Sequence, residues 1–383
     1  MSAIPFAPTV PFHPASLDEL EQWLKQSDTS SKIIPVGSRS KPWTRRWCQE
    51  ATPIVMEAIH GVVDYQPSDF TITVAAGTKL SDLVVELDRC GQFFPFDPIG
   101  VAKGATIGGC IASGINGSCK QLWGGLRDFI LAIEFLDSRG TRLRAGAKVV
   151  KNTAGFDLPK FFVGSFGQFG ILTEITLKVF PRPLGWETVR IELSNLSHCL
   201  DLLHRIGHQP LDIAAIDFDT GASKKICLWI RLVGSDSMRQ GTLHWLRETL
   251  TMVDRTVAID RLEGAEDESF WANRNAQPWS EETQYPMVYR LVCSPSQIPA
   301  LEKVLSSSLG YRRYVHAGNS CWIHLPSMEQ LPQLETFCKN HSVDGMAIEA
   351  PNQAPIRIGP DHSKAYRTRI QSALDPSQRY LPT

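Results

Sequence analysis

The segment from Gly104 to Gly170 constrains the fold of this chain more than any other part, because its glycines recur in clusters, of which three matter. A glycine accepts positive φ and has no side chain, so the backbone N–H groups around it can approach a phosphate closely. One such cluster indicates an ordinary turn. Three clusters interleaved with strand-like segments predict a bed for a phosphorylated cofactor. The clusters are Gly104-Ala-Thr-Ile-Gly108-Gly109, Lys151-Asn152-Thr-Ala-Gly155-Phe-Asp157 and Gly164-Ser-Phe-Gly167-Gln-Phe-Gly170.

The spacing of these glycines argues against two common nucleotide motifs. The nicotinamide fingerprint, Gly-x-Gly-x-x-Gly, follows a strand and opens a helix. Here Gly164, Gly167 and Gly170 lead into residues 171–179, which alternate like a strand. The chain also has no Gly-x-x-x-x-Gly-Lys-Ser/Thr segment, so the P-loop is an equally poor fit.

The length and charge of the chain limit its architecture and its partners. At 383 residues it exceeds the size of about 250–300 residues at which single cores stop growing, so we expect two domains. The 39 basic and 40 acidic residues nearly cancel, which gives no electrostatic reason to expect nucleic acid or an anionic membrane as a partner. The short basic runs Arg45-Arg46 and Arg312-Arg313 are predicted to lie on solvated faces.

The cysteines and apolar runs indicate the cellular setting. Nine cysteines without any Cys-x-x-Cys pair predict neither a disulfide framework nor an iron–sulfur cluster in this chain. No apolar run reaches the length of about 18 residues that a membrane helix needs, and the first residues do not resemble a secretory leader. We therefore expect a cytoplasmic protein without direct membrane insertion, which reaches a membrane only through a partner.

Hydrophobic periodicity predicts an α/β first half. Residues 17–24 repeat apolar side chains at helical spacing behind Ser16, a good N-cap residue. A second apolar stripe over 80–87 predicts a helix that ends near Gly91. Strands are predicted at 32–36, 54–56, 71–75, 129–136, 141–144 and 171–180.

After residue 183 the glycine density falls and the pattern changes. Predicted strands at 188–193, 226–233, 287–292 and 320–325 are separated by predicted helices at about 197–206, 236–252 and 296–308. This mixture favours an antiparallel sheet backed by helices.

Taken in order, the motifs of the first half resemble the FAD-binding domain of the vanillyl-alcohol oxidase or PCMH superfamily, and within it the FAD-binding subunits of glycolate oxidases. The resemblance is dense over about residues 30–185. It rests on Ala105-Thr-Ile-Gly-Gly109, Leu126-Arg-Asp128, Asp137-Ser-Arg-Gly140, Val150-Lys-Asn-Thr-Ala-Gly-Phe-Asp157, Gly164-Ser-Phe-Gly-Gln-Phe-Gly-Ile-Leu-Thr-Glu174, Lys178 and Pro181-Arg-Pro183.

The resemblance implies an α+β fold with a PCMH-type FAD-binding domain of two α/β lobes over residues 1–184. A C-terminal antiparallel sheet-and-helix domain over 185–383 would bind substrate or partners. No histidine lies near Gly37 or Gly108 to attach the flavin covalently, so we expect noncovalent FAD. The residues that the resemblance assigns to FAD are Gly37, Ser38, Arg39, Ser40, Thr106, Ile107, Gly108, Gly109, Ser113, Gly114, Lys151, Asn152, Gly155, Asp157, Gly170 and Ile171.

Two places depart from the family pattern. The phosphate loop Val36-Gly37-Ser38-Arg39-Ser40-Lys41 keeps only the first of three expected glycines, and side chains at 38 and 39 occupy space and restrict φ. Arg39 offers a charge-assisted contact to phosphate instead. The C-terminus also lacks the usual Asn-Pro-Gly-Arg, which elsewhere reaches toward the flavin.

The second half contains two candidates for catalysis. His316 lies in Tyr314-Val-His-Ala-Gly-Asn319, which is similar to a metal-binding segment of the sister subunit in such complexes. Asn319 stands where that segment has an acid, and no neighbouring segment completes a ligand set, so no metal is predicted. We expect His316 to act as a general base and Arg290 to bind a substrate carboxylate. A backbone-satisfied histidine and a strand salt bridge are the alternatives.

The resemblance implies a subunit that passes electrons from 2-hydroxy acid oxidation through FAD. Its partners would be a sister FAD subunit and an iron–sulfur subunit, and its substrate a small 2-hydroxy acid such as glycolate. Two alternatives remain open. One is a freestanding dehydrogenase that uses His316 and Arg290; the other is a flavin-depleted scaffold, which the altered loop and tail would favour.

Overall fold

A computed structural model describes residues 10–148, 157–220, 225–254, 257, 259–276, 286–305 and 310–381. Up to residue 182, short helices and strands alternate, as the periodicity predicts. They are α1 (Leu17–Gln26), β1 (Ile33–Val36), α2 (Trp43–Glu50), β2 (Thr52–Val55), β3 (Val62–Gln66), β4 (Thr71–Ala75), α3 (Leu80–Arg89), β5 (Gln92–Phe93), α4 (Ile107–Ser113), α5 (Lys120–Trp123), α6 (Leu126–Phe129), β6 (Ile130–Leu136), β7 (Arg142–Gly146), α7 (Leu158–Phe162), β8 (Ile171–Lys178) and β9 (Phe180–Pro181).

Longer strands and helices follow in the second half. They are β10 (Trp186–Leu193), α8 (Leu196–Ile206), β11 (Ile213–Thr220), β12 (Ile226–Val233), α9 (Asp236–Val253), β13 (Ile259–Glu263), α10 (Ala265–Ala276), β14 (Met287–Val292), α11 (Ile298–Leu305), β15 (Tyr311–Val315), β16 (Ser320–Leu325), α12 (Leu331–Asn340), β17 (Asp344–Glu349), β18 (Arg357–Ile358) and α13 (Lys364–Leu374). Among the described helices, none is both long and apolar enough to cross a membrane.

The chain forms two compact units. The first contains the described residues of 1–116, 125–182 and 362–383, and the second those of 117–124 and 183–361. The chain therefore passes from one unit to the other near residue 183. A single division after residue 184 would place 117–124 in the first unit and 362–383 in the second. In the structure, 117–124 belongs to the second unit and 362–383 to the first.

The first unit contains three sheets, of which the smallest is the antiparallel pair of β5 and β9. β1 and β2 form a parallel pair, and a five-stranded antiparallel sheet has the order β3-β4-β8-β6-β7. Helix α1 begins where the Ser16 side chain accepts a hydrogen bond from the Glu19 backbone N–H, and it buries Leu20 and Leu24. The two α/β lobes implied by the resemblance are thus present.

The C-terminal tail belongs to the core of the first unit. Arg379 is fully buried, and its Nη1 donates to the carbonyls of Leu24 and Ser138, each at 3.0 Å. The Asp375 carboxylate accepts the backbone N–H groups of Arg379 and Tyr380, both at 2.8 Å. These bonds hold residues 375–380 against the core of the first unit.

The second unit contains a nine-stranded antiparallel sheet in the order β13-β10-β12-β11-β15-β16-β14-β17-β18. Apolar residues of α8, α9, α11 and α12 share one continuous core with these strands. A smaller cluster joins Cys119, Trp229 and Trp271. The observed fold thus matches the predicted sheet-and-helix domain.

The prediction that Arg312 and Arg313 lie on a solvated face is wrong. Both are buried in β15, 4% and 5% exposed. Arg312 Nη2 lies 2.6 Å from a Glu302 carboxylate oxygen, and Arg313 Nη2 lies 2.9 Å from Asp217. Because carboxylates from neighbouring elements pair with them, the strand can bury two adjacent cations.

Candidate functional site

Glycines bring three loops of the first unit into close contact. A Cβ at Gly37 would lie 2.1 Å from Thr106 Oγ1, and a Cβ at Gly167 would lie 2.7 Å from Pro35 Cγ. The first distance is too short for a nonbonded carbon and oxygen, and the second is too short for two nonbonded carbons. The loops 35–41, 106–113 and 165–170 therefore approach one another only because glycine occupies these positions.

The three loops enclose a cleft made of two adjoining cavities, of about 450 and 390 Å³. Both volumes include space that is open to solvent, so the cleft is accessible from the surface of the unit. The residues that line both cavities and so join them are Pro35, Val36, Gly37, Thr106, Gly109 and Ala112.

The charge of the cleft wall is positive. Arg39 and Lys41 line it, and no aspartate or glutamate of the described residues does. Lys41 is only 8% exposed, and its Nζ donates to Ser40 Oγ at a long 3.4 Å. Burial lowers the pKa of Lys41, because removal from water disfavours the ammonium form. The cleft therefore suits an anionic ligand.

Two hydroxyl groups of the cleft wall have unmet hydrogen-bonding capacity. Ser38 Oγ and Ser165 Oγ are buried and have no hydrogen-bond partner in the part of the chain that the structure describes. Buried polar side-chain atoms are nearly always hydrogen-bonded in native proteins. Orphaned hydroxyls in a cleft wall that also carries two cations fit the phosphates and ribityl hydroxyls of FAD.

The phosphate loop keeps its left-handed turn without the family's glycines. Arg39 has a φ of +54°, in the region that favours glycine. The predicted restriction of φ at this position is therefore present as strain, which the surrounding structure holds in place. Arg39 is exposed, so the loop directs its side chain into solvent-accessible space.

Most of the residues assigned to FAD from the sequence lie on the cleft wall. These are Gly37, Ser38, Arg39, Ser40, Thr106, Gly108, Gly109, Ser113 and Gly170. Thr106 also caps α4, because its Oγ1 accepts the Gly109 N–H at 3.3 Å.

Four assigned residues lie outside the cleft wall. Ile107 and Ile171 are fully buried. Gly114 ends α4 with a φ of +63°. Asp157 caps α7 and pairs with Lys160 Nζ at 3.0 Å. Lys151, Asn152 and Gly155 lie outside the described residues, so their predicted roles remain predictions.

The sequence reasoning missed several residues of the cleft wall. Lys41 stands at the end of the phosphate loop, where its position was visible but its burial was not. Trp43 and Trp47 of α2 meet the Phe166 ring edge-on, at centroid distances of 5.8 and 5.9 Å. The Phe166 and Ser165 positions lie between the glycines of the third cluster, and this was the available signal.

In the second unit, His316 lies in a strained turn between β15 and β16. His316 and Ala317 have φ values of +55° and +54°, and Gly318 follows at +87°. The turn is held by a bond from the Ala317 N–H to the Ile216 carbonyl at 2.9 Å and by one from Asn319 Nδ2 to the His316 carbonyl at 2.8 Å. Strained backbone of this kind is concentrated at functional sites.

Hydrogen bonding determines the tautomer of His316. Its Nε2 lies 3.0 Å from the Gly117 carbonyl oxygen, so Nε2 carries the hydrogen and Nδ1 keeps its lone pair. Burial lowers the pKa of His316 to about 4, and the nearby charge of Arg290 acts in the same direction. The imidazole is therefore neutral at pH 7.

Arg290 lies on β14 beside the same turn. Its Nε donates to Ser320 Oγ at 3.3 Å, and no carboxylate among the described residues pairs with its guanidinium. Burial lowers the pKa of Arg290. The predicted alternative, a strand salt bridge, is absent from the described contacts. No group of three or more His, Cys, Asp or Glu side chains in the described ranges has the arrangement of a metal site.

Comparison with known proteins identifies the cofactor. Residues 8–146 match a family model described as "FAD binding domain". The chain carries an FAD-binding domain of the PCMH type. FAD is thus the cofactor that the cleft of the first unit fits, and the predicted superfamily is confirmed.

The relatives of this chain include hydroxy acid enzymes. It is 34% identical to glycolate oxidase subunit GlcE of Escherichia coli over 231 residues, 60% of this chain and 63% of that protein. It is 30% identical to a D-lactate dehydrogenase of Anaerostipes hadrus, over 42% of this chain and 34% of that protein. It is also 30% identical to glycolate oxidase subunit GlcD of Bacillus subtilis, over 48% and 39%. The matched segment thus spans less than two thirds of each relative.

Solved structures show the same fold at low identity. An alkyldihydroxyacetonephosphate synthase superposes with a TM-score of 0.71 at 15% identity, over 96% of this chain and 75% of that one. A chitooligosaccharide oxidase gives a TM-score of 0.70 at 12% identity, over 98% and 92%. These likenesses extend the fold assignment to nearly the whole chain.

Proposed function

We propose that this chain is the FAD-binding subunit of a 2-hydroxy acid dehydrogenase complex of the glycolate oxidase kind. The observation that carries the proposal is a positively charged cleft, without carboxylates from the described residues, in a chain similar to GlcE over 231 residues. D-lactate dehydrogenases among its relatives support the same substrate class. Glycolate and D-lactate are therefore the substrates to test first.

The residues of the first unit hold the cofactor. Gly37 and Gly109 let the two loops pack closely around Thr106, and Thr106 fixes the start of α4 beside them. Bound FAD would supply the acceptor for the hydride that leaves C2 of a 2-hydroxy acid. The walls around Trp43, Trp47 and Phe166 are apolar and exclude water from part of the cleft.

Arg290 and His316 of the second unit are proposed to handle the hydroxy acid. A half-buried guanidinium without a carboxylate partner among the described residues suits a substrate carboxylate, which it can bind with two parallel hydrogen bonds. The free Nδ1 of His316 can accept the hydroxyl proton. With a pKa of about 4 it is a weak base in the free protein, and a bound carboxylate near Arg290 would raise that pKa.

The proposed partners are a sister FAD subunit and an iron–sulfur subunit. Two of the relatives are named as subunits of glycolate oxidase, which supports an assembly. The nine cysteines of this chain include no pair in a Cys-x-x-Cys motif. An iron–sulfur cluster that takes electrons from this flavin would therefore belong to a partner.

Anaerobic reduction of the purified full chain tests the proposal. The chain loaded with FAD is mixed with glycolate or D-lactate, first alone and then with the co-expressed partner subunits. We expect the flavin absorbance to bleach only in the complex. Yellow protein that neither substrate bleaches in either setting contradicts the proposed activity.

A freestanding dehydrogenase is the second candidate, and the pairing of Arg290 with the His316 turn favours it. In that case the isolated chain bleaches with substrate, and the Arg290→Met variant does not. A matched control is Arg205→Met, which removes an exposed arginine of α8 in the same unit.

A further inference from the structure

Lys41 is a buried cation whose charge has no counterpart in the described part of the first unit. It is 8% exposed, and the one described hydrogen bond of its ammonium runs to the neutral Ser40 hydroxyl at 3.4 Å. Burying an ammonium without an anionic partner is costly. A chain that keeps such a lysine in a cleft wall sacrifices stability in the ligand-free state.

The groups around Lys41 leave both space and charge unmatched. The position that a Cβ would take on Gly109 lies 3.7 Å from Lys41 Nζ, so the absent side chain leaves room beside the ammonium. On α4 the facing titratable group is Cys110, whose thiol is neutral at pH 7 because burial raises its pKa to about 11. Arg39, on the same loop, adds a second positive charge to the wall.

The chemistry of FAD decides which part of it belongs here. Its rings, ribityl chain and ribose are uncharged, whereas its diphosphate carries the formal negative charges. Hydrogen bonds from an ammonium to phosphate oxygens are charge-assisted and about twice as strong as neutral ones. The orphaned Ser38 hydroxyl on the same loop adds a second donor for a phosphate oxygen.

We propose that Lys41 binds the diphosphate of FAD, and that its side-chain charge takes the place of the backbone hydrogen bonds that glycines would offer at positions 38 and 39. The proposal rests on the FAD site of the first unit and not on the hydroxy acid activity. In this loop a lysine side chain would thus do the phosphate binding that glycine backbone N–H groups do in the family.

A ligand-binding lysine and a structural lysine give opposite results when removed. Lys41→Met deletes a buried charge, so we expect the ligand-free protein to be as stable as the parent or more stable. FAD affinity should fall about 10- to 100-fold, the loss expected for a hydrogen bond to a charged group. If Lys41 only supported the fold, its removal would instead lower the stability of the ligand-free protein.

Proton linkage gives an independent signature. Burial lowers the pKa of Lys41 in the free protein, and a neighbouring diphosphate raises it. FAD binding therefore takes up a proton and weakens as the pH rises above the lowered pKa of the free protein. Burial shifts the pKa of Cys110 in the opposite direction, to about 11, so the two groups can be told apart in a pH profile.

The experiment is a titration of the full chain with FAD, followed by flavin fluorescence, with thermal unfolding of each ligand-free variant beside it. Lys41→Met and Lys41→Gln are compared with Lys79→Met, which removes an exposed lysine of the same unit. At saturating FAD, ³¹P NMR reports on the diphosphate and the visible spectrum reports on the ring. No substrate is used, so the result does not depend on the proposed enzymatic function.

We expect both Lys41 variants to lose affinity and pH dependence, to shift the ³¹P resonances, and to keep the visible spectrum and the ligand-free stability. Lys79→Met should bind FAD like the parent. Parent-like affinity in Lys41→Met overturns the proposal. So does a loss of ligand-free stability that accounts for the weaker binding, or a changed ring spectrum with unchanged ³¹P resonances.

Discussion

The left-handed conformation of Arg39 makes a quantitative prediction about the phosphate loop. Its φ of +54° costs about 1–2 kcal/mol relative to glycine, because Cβ crowds the following carbonyl oxygen. Arg39→Gly removes that cost but adds backbone freedom to the unfolded chain, which costs about 0.5–1 kcal/mol. We therefore expect the free energy of unfolding of the ligand-free protein to rise by about 0.5–1 kcal/mol.

Thermal unfolding of the ligand-free full chain measures this change. For a unit of this size, 1 kcal/mol shifts the midpoint by about 2–4 °C. The matched control is Ser31→Gly, an exposed residue outside the set with positive φ. It gains the same unfolded-state freedom without relief of strain and should lose about 0.5–1 kcal/mol.

FAD affinity of the same variant separates strain from ligand contact. Because Arg39 is exposed, water screens its charge, and we expect Arg39→Gly to weaken FAD binding by less than about tenfold. If Arg39→Gly destabilises the ligand-free protein as much as Ser31→Gly does, the loop is not strained and the reasoning is refuted.

Three further predictions concern the two candidate sites. Gly37→Ala places a methyl group 2.1 Å from Thr106 Oγ1, so we expect a loss of about 1–3 kcal/mol in unfolding free energy together with weaker FAD binding; parent-like stability in thermal unfolding would argue against the close packing. Arg290→Met should raise the KM for the hydroxy acid about 10- to 100-fold, and Arg290→Lys should recover part of it; steady-state assays showing an unchanged KM would exclude the carboxylate contact. The pKa of His316 is about 4 in the folded protein and about 6.5 in the unfolded chain. The folded state therefore binds fewer protons between these two pH values. Acid should therefore lower the unfolding free energy through this window by at most about 3 kcal/mol, and His316→Gln should flatten the profile; an identical profile would contradict the buried neutral histidine.

Local periodicity was sufficient to predict much of the fold. The strand predicted at 71–75 is β4, and the helix predicted at 236–252 is α9, which extends one residue further. Capping residues and an apolar stripe define such elements by themselves. The three glycine clusters predicted the convergence of loops, since close approach of backbones needs the absence of Cβ.

Elements whose pattern depends on tertiary partners could not be predicted. β15 contains two adjacent arginines, and their burial depends on ion pairs with Glu302 and Asp217 on other elements. β3 is an edge strand with exposed Val62 and Val63, so it shows no alternation of buried and exposed residues.

In the candidate site too, features set by the local sequence could be predicted and features set by tertiary packing could not. Site positions that depend on the absence of a side chain, such as Gly37 and Gly109, could be predicted because clustered glycines indicate close approach of backbones. Lys41 looked like any loop lysine, because its burial depends on packing against α4 and α2. Whether a charged side chain such as Lys41 lies buried in the cleft wall is decided only when the unit folds.

The central claim is that this chain binds FAD noncovalently in the cleft of its first unit. The most direct measurement is the visible spectrum of the purified full chain after incubation with FAD and desalting, followed by acid precipitation. We predict a yellow protein with one FAD per chain, all of it released into the supernatant, and a Gly37→Ala variant with less flavin. A colourless protein, or flavin that stays with the precipitate, would contradict the account.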